Sequence, residues 1–106
     1  VIQTFEKKII NIHPSLLPAF PGMNAQKQAI NHGVKFSGCT VHFVDFGVDT
    51  GPIILQTVVP VYDNDDEKSL SKRILEQEHY VYPKAIKMIQ ENKIRLNGRT
   101  VTSKII

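Results

Sequence analysis

Residues Asn11-Ile-His-Pro-Ser-Leu-Leu-Pro-Ala-Phe-Pro21 limit the possible folds more than any other stretch of this chain. An apolar run from Ile9 ends in an amide and an imidazole two positions apart, and a proline follows at once. Strand residues at i and i+2 share a face, so Asn11 and His13 are expected side by side. Pro14 favours an extended His13 and has no N–H to give to a ladder, which ends the strand. The run Ile9 to His13 is nearly continuous in its apolar character and reads as a buried strand of the parallel type. Two polar groups would then point together from a strand's carboxyl end, where open α/β sheets place their ligands.

The remaining pattern alternates helix and strand. Residues 1–8 read as a helix tail or loop, and Pro14 to Gly22 as a proline-punctuated loop. Met23 to His32 has helical spacing, with Asn24 as the expected N-cap and Gly33 as the stop. Cys39 to Asp45 alternates as a strand, and Ile53 to Val61 is a second, β-branched one; a Gly-rich link joins them, so they are expected to pair antiparallel. Asp63-Asn-Asp-Asp-Glu67 is an acidic loop entering a helix, where negative charge suits the dipole. Leu70, Ile74, Gln77 and Val81 define that helix's apolar face, and Pro83 is expected to break or kink it. Asn97-Gly98 between two short strand-like pieces signals a hairpin.

Composition narrows the function classes. At 106 residues, 42% hydrophobic and 22% charged, the chain reads as one small globular domain or part of one. The net charge of +3 arises mostly at the end, where Lys93, Arg95, Arg99 and Lys104 face only Glu91. That tail lacks the dense, aromatic-interleaved stripe of a nucleic-acid surface, so no nucleic-acid partner is expected. A single cysteine, Cys39, excludes an intrachain disulfide and reads as a buried, inert thiol. No apolar run approaches the ~18 residues of a membrane span and no signal peptide is visible, so a cytoplasmic setting with no membrane partner is expected. The chain opens on Val1, which suggests a fragment whose absent start could hold a targeting segment.

Few residues remain as candidates for chemistry. Asn11 offers a neutral donor and a protonated His13 a charged one; together they could steady an oxygen gaining negative charge, and His13 could also exchange a proton. Taken alone, a histidine at a strand end is more often structural than catalytic, and its pairing with Asn11 on one face favours the functional reading. Asp49, in Gly47-Val-Asp-Thr-Gly-Pro52, reads either as a turn aspartate or as a carboxylate brought to His13 to support its charged form and orient a water. His42 reads as a supporting or solvent-facing residue, His32 as a partner for a helix C-terminus, and Glu78 with His79 as a solvated helical face. The acidic loop lacks the spacing and glycine of a calcium site, and no His/Cys cluster has metal spacing, so no metal is expected.

Asn11-Ile-His-Pro-Ser-Leu-Leu-Pro18, Phe20-Pro-Gly22, Gly38-Cys-Thr-Val-His-Phe-Val44 and Val48-Asp-Thr-Gly-Pro-Ile-Ile-Leu-Gln56, in that order, closely resemble the phosphoribosylglycinamide formyltransferase family. The resemblance runs from about Lys8 to Arg95. It implies an α/β, Rossmann-like formyltransferase sheet, of which residues 1–106 would be the carboxyl-terminal part: one parallel strand, an antiparallel pair, flanking helices and a terminal hairpin. It implies Asn11, His13 and Asp49 as the catalytic trio, and formyl transfer from 10-formyltetrahydrofolate to the amino group of glycinamide ribonucleotide. The loop Asp45, Phe46, Gly47, Val48 and Asp49 would line the folate pocket, largely through backbone groups. Glu78 would contact the ribose hydroxyls, which overturns its bland reading. The family's glycine-rich phosphate-binding turn has no counterpart here, so the amino-terminal half is expected to lie outside the chain, and the piece alone to bind substrate poorly.

Three rivals stand beside this reading. Formyltetrahydrofolate deformylase has a similar Asn-His-Asp core but passes the formyl group to water; the Pro-Ser-Leu-Leu-Pro and Cys-Thr-Val-His-Phe segments look more like the transferase. Methionyl-tRNA formyltransferase shares a similar Asp-Thr-Gly and adds an RNA-binding domain not visible here. A non-catalytic folate- or nucleotide-binding module would not need Asn11, His13 and Asp49 together. Oligomeric state is left open.

Overall fold

The computed structural model describes residues 9–103; the helix tail or loop expected over residues 1–8 lies outside them. The described chain runs β1 (Ile10–His13), α1 (Ala25–His32), β2 (Phe36–Phe43), β3 (Ile53–Pro60), α2 (Glu67–Gln90), β4 (Ile94–Asn97) and β5 (Thr100–Ser103). Strands β1, β2 and β3 form one sheet in that order, and β4 with β5 a separate two-stranded ribbon. The fold is α/β, as the sequence indicates. No helix among the described residues is long and apolar enough to cross a membrane.

Strand β2 is the centre of the sheet. From Ser37 to Phe43 every residue is buried, because both faces are covered. On one face, Cys39 and Val41 join Leu70, Ile74, Val81 and Ala85 of α2 and Ala29 of α1 in the main core, with Ile10 and Ile12 packed alongside. Each large aliphatic side chain buried there contributes about 1.5–3 kcal/mol. On the other face Thr40 and His42 stand opposite His13 and Asn11 of β1, under the proline-rich segment. Thr40 pins that segment. Its Oγ1 donates to the Ser15 carbonyl at 2.7 Å and accepts from the Leu17 N–H and from Gln56 Nε2. A side chain at Gly38 would overlap the Thr57 carbonyl oxygen, so only glycine lets β3 approach here.

Four expectations need correction. Strand β1 pairs antiparallel with β2, not in the parallel manner expected of a continuous apolar run; a four-residue strand buried on one face carries the same composition as one buried on two. Asn24 occupies the N-cap position but adopts the left-handed conformation (φ 58°), and its side chain caps nothing. Pro83 does not break α2, which runs for 24 residues through it. Val81 and Ala85 on either side are buried, so packing outweighs the ~3 kcal/mol penalty of an interior proline. The hairpin turn sits one residue later than expected: Asn97 pairs with Thr100, leaving Gly98 (φ 64°) and Arg99 as the turn.

Other elements behave as their residues dictate. Gly33 ends α1 with φ 81° and donates to Ala29 and Ile30 carbonyls. Strands β2 and β3 pair antiparallel with a bulge at Val41/His42. Asp66 caps α2 by accepting from the Ser69 N–H at 2.9 Å while Ser69 Oγ accepts from the Asp66 N–H at 3.0 Å, a reciprocal capping box. Its neighbour Asp65 is no solvated charge. Both its oxygens take guanidinium hydrogen bonds from Arg73, at 2.7 and 3.0 Å, and this pairing holds the carboxyl far below the usual carboxylate range.

Candidate active site

His13 ends β1 almost fully buried, with 6% of its surface exposed. Its Nδ1 lies 3.3 Å from the Asp49 carboxylate, and its Nε2 lies 2.8 Å from the Phe20 carbonyl oxygen. Both ring nitrogens therefore face acceptors of the chain, which fixes the ring's orientation from two sides. Ser15 supports the carbonyl side by donating from Oγ to the Ala19 oxygen at 2.6 Å. The proline-rich segment so folds back over the strand end and closes around the ring.

Asp49 is delivered by the link between β2 and β3. It is non-glycine with φ 58°, an uncommon conformation that marks a position held by its surroundings. Three groups hold it. The Gly22 N–H donates to Oδ2 at 2.7 Å, the His13 ring faces the same oxygen, and His42 Nε2 lies 3.6 Å from Oδ1. His42 is buried, not solvent-facing, and its Nδ1 engages its neighbour Phe43's carbonyl at 3.0 Å. Its Nε2 has no hydrogen-bond partner. The supporting role expected for His42 thus takes the form of a second imidazole beside one carboxylate.

Asn11 shares the face of His13, opposite His42 across the ladder, and is exposed. Its Oδ1 accepts from the Ile12 N–H at 2.8 Å, which fixes the amide so that Nδ2 is the group available to donate. The structure brings His13 and Asp49 together, with Asn11 at the rim of the same surface.

Glu78 lies on α2, half-buried. Burial pushes its carboxyl up, and the charges of His79 and His13 pull it back in part, so its field couples to the same site. Cys39 is fully buried beneath the sheet, and burial together with Glu78 pushes its thiol up to about 11, which makes it inert at neutral pH. Within the loop, Asp45 turns inward: Oδ1 accepts from the Gly47 N–H at 3.0 Å and from Thr50 Oγ1 at 2.6 Å. Those bonds lower its carboxyl pKa. Phe46 and Val48 project into solvent. His32 edges against the Phe20 ring, with centroids 5.7 Å apart. Among the described residues no group of three or more His, Cys, Asp and Glu could hold a metal ion.

Sequence reasoning did not find Gly22, Phe20 or Thr40, whose backbone or hydroxyl groups hold the site. The Phe20-Pro-Gly22 turn was the available signal, since a glycine after a proline commonly marks a left-handed residue with a free N–H; Gly22 has φ 85°.

The formyl transferase family model matches residues 1–86. The chain belongs to the formyl transferase family. Phosphoribosylglycinamide formyltransferase of Bacillus subtilis (strain 168) is 51% identical over 99 residues, covering 93% of this family member and 49% of the relative. The crystal structure of phosphoribosylglycinamide formyltransferase from Anaplasma phagocytophilum superposes with a TM-score of 0.91 at 50% identity, over 98% of this chain and 52% of that one. A formyltetrahydrofolate deformylase from Pseudomonas syringae pv. tomato superposes with a TM-score of 0.87 at 31% identity, over 95% of this chain and 34% of that one. The chain spans about half the length of the formyltransferase relatives it matches.

Proposed function

We propose that this chain is the carboxyl-terminal part of a formyltransferase domain that transfers a formyl group from 10-formyltetrahydrofolate to the amino group of glycinamide ribonucleotide, in the cytoplasm and without a metal. The observation that carries the reading is the Asp49 carboxylate 3.3 Å from the His13 ring at the end of β1. Identities near 50% to formyltransferases, against 31% to a deformylase, favour an amine over water as acceptor.

In this mechanism the substrate amine attacks the formyl carbon, and the carbonyl oxygen gains negative charge as the carbon becomes tetrahedral. Asn11 Nδ2 and a protonated His13 donate to that oxygen, where preorganised donors act most strongly. Both His13 nitrogens face acceptors of the chain itself, so contact with the oxyanion requires the ring to exchange one of them for substrate. Asp49 supports the imidazole and orients a water that carries the amine's proton towards the folate nitrogen. The C–N bond to folate then breaks, leaving the formyl group on the amine and a proton on the folate nitrogen. Residues Asp45 to Asp49 line the folate pocket with backbone groups, and Glu78 binds the ribose hydroxyls.

The test is a spectrophotometric assay of the intact protein with 10-formyltetrahydrofolate, with and without glycinamide ribonucleotide. Turnover only with the amine supports the proposal. Equal turnover without it makes the protein a deformylase, and binding of both ligands without turnover makes it a non-catalytic module.

A further inference from the structure

The loop that carries Asp49 has an attachment that formyl-transfer chemistry does not use. Its base is tied by the Phe43 N–H donating to the Pro52 carbonyl at 2.9 Å. Its interior is tied through Asp45, and its inner side through Asp49 and Gly22. A further tie arrives from the far end of the chain: Arg99, in the turn of the β4–β5 ribbon, donates from Nη2 to the carbonyl oxygen of Thr50. Thr50 directly follows Asp49.

We propose that Arg99 is a positioning residue, which fixes the backbone presenting Asp49 to His13 by holding the Thr50 carbonyl. The inference rests on the formyl-transfer reading above. The ribbon is a suitable arm for this task. Ile94, 1% exposed, packs on Phe43, the last residue of β2, with Leu96 and Val101 against the same cluster. The tip is therefore referenced to the strand that leads into the loop.

The loop also needs an external hold. Asp49 sits at φ 58°, a conformation that persists in a non-glycine residue only when its surroundings impose it. Arg99, Asp49, Leu17, Pro18 and Val48 help line a cavity of about 260 Å³ beside the loop, so close packing does not brace the loop there. A guanidinium, planar and rich in donors, can span such a gap where a shorter side chain cannot. The Thr50 and Gly47 hydrogen bonds chiefly hold Asp45 ionised, and the Arg99 charge acts in the same direction.

Arg99→Ala and Arg99→Lys, made in the intact protein, test this through two readouts: kinetics, and backbone amide exchange across residues 45–51 and 94–103. The expected result for Arg99→Ala is a kcat about ten-fold lower, with KM for both substrates within about two-fold, because a small misplacement of a catalytic group is felt in the transition state. Amide exchange should rise in 45–51 and stay unchanged in 94–103, and Arg99→Lys should recover part of both effects. Unchanged kcat and exchange would overturn the proposal. A raised KM with unchanged kcat would overturn it in favour of direct ligand binding, and faster exchange throughout 94–103 in both variants in favour of a purely structural role. If the wild-type protein transfers no formyl group, the functional reading fails, while exchange in 45–51 still decides whether Arg99 holds the loop.

Discussion

The Asp49 carboxylate stands 3.3 Å from Nδ1 of His13, and the Gly22 N–H locks it there through a 2.7 Å hydrogen bond. The pair joins two loops that are distant in sequence, the proline-rich segment after β1 and the link between β2 and β3. The two loops leave the sheet at different ends, since His13 pairs with Thr40 whereas Phe43, where the β2–β3 link begins, pairs with Ile10. The proline-rich segment reaches Asp49 by folding back, and Gly22 closes the contact.

Replacing His13 by Ala should separate chemistry from binding. Turnover is expected to fall by ~10²–10⁴, because one group supplies both charge stabilisation and proton exchange. Affinity for 10-formyltetrahydrofolate should remain, since the proposed folate contacts are backbone groups of Asp45 to Asp49. Calorimetry beside the kinetic assay checks both halves of this expectation.

Thr40→Val should destabilise the protein by about 1–3 kcal/mol although it keeps the shape and burial of the side chain. The hydroxyl serves Ser15, Leu17 and Gln56 at once, and its loss leaves the buried Leu17 N–H and Ser15 carbonyl without that partner. Urea unfolding measures the change.

Gly51→Ala should disturb the site through the backbone alone. A Cβ at Gly51 would overlap the Phe43 carbonyl oxygen, so the loop must shift, at about 1–3 kcal/mol by analogy with overpacking. Turnover should fall with stability, and the His13 ring resonances should move because Asp49 moves with the loop.

Two acids give opposite pH dependences of stability. Asp65 is held below its ordinary value of 3.8 by Arg73, so its contribution is present above that value and is lost as pH falls through the lower folded value. Glu78 is raised above 4.5 by burial, so its contribution is present below 4.5 and is lost as pH rises through the higher folded value. Asp65→Asn should flatten the acid limb of a Tm–pH curve, and Glu78→Gln should remove the decline on its other side.

What could be read in the residues was local and periodic. The shared face of Asn11 and His13, the antiparallel β2–β3 pair, the acidic start of α2 and the Gly33 stop all follow from spacing or from one residue's backbone preference. The misses were settled by tertiary contact. Pro83 is tolerated because Val81 and Ala85 are packed, and Asn24 leaves its side chain unused because the turn before α1 places it in the left-handed region. Asp65 reads only as one acid of the loop entering α2 until Arg73, two helical turns on, closes over it. The Gly22–Asp49 clamp joins two loops by a backbone group, which no side-chain pattern records.

A double-mutant cycle on His13 and Asp49 tests their joint action most directly, with kcat for formyl transfer measured in the intact protein for wild type, His13→Ala, Asp49→Ala and the double variant. If the carboxylate acts through the imidazole, the double variant should be no more than a few-fold slower than His13→Ala alone. Losses that multiply across the two sites would contradict a shared unit and leave Asp49 acting independently of the ring it faces.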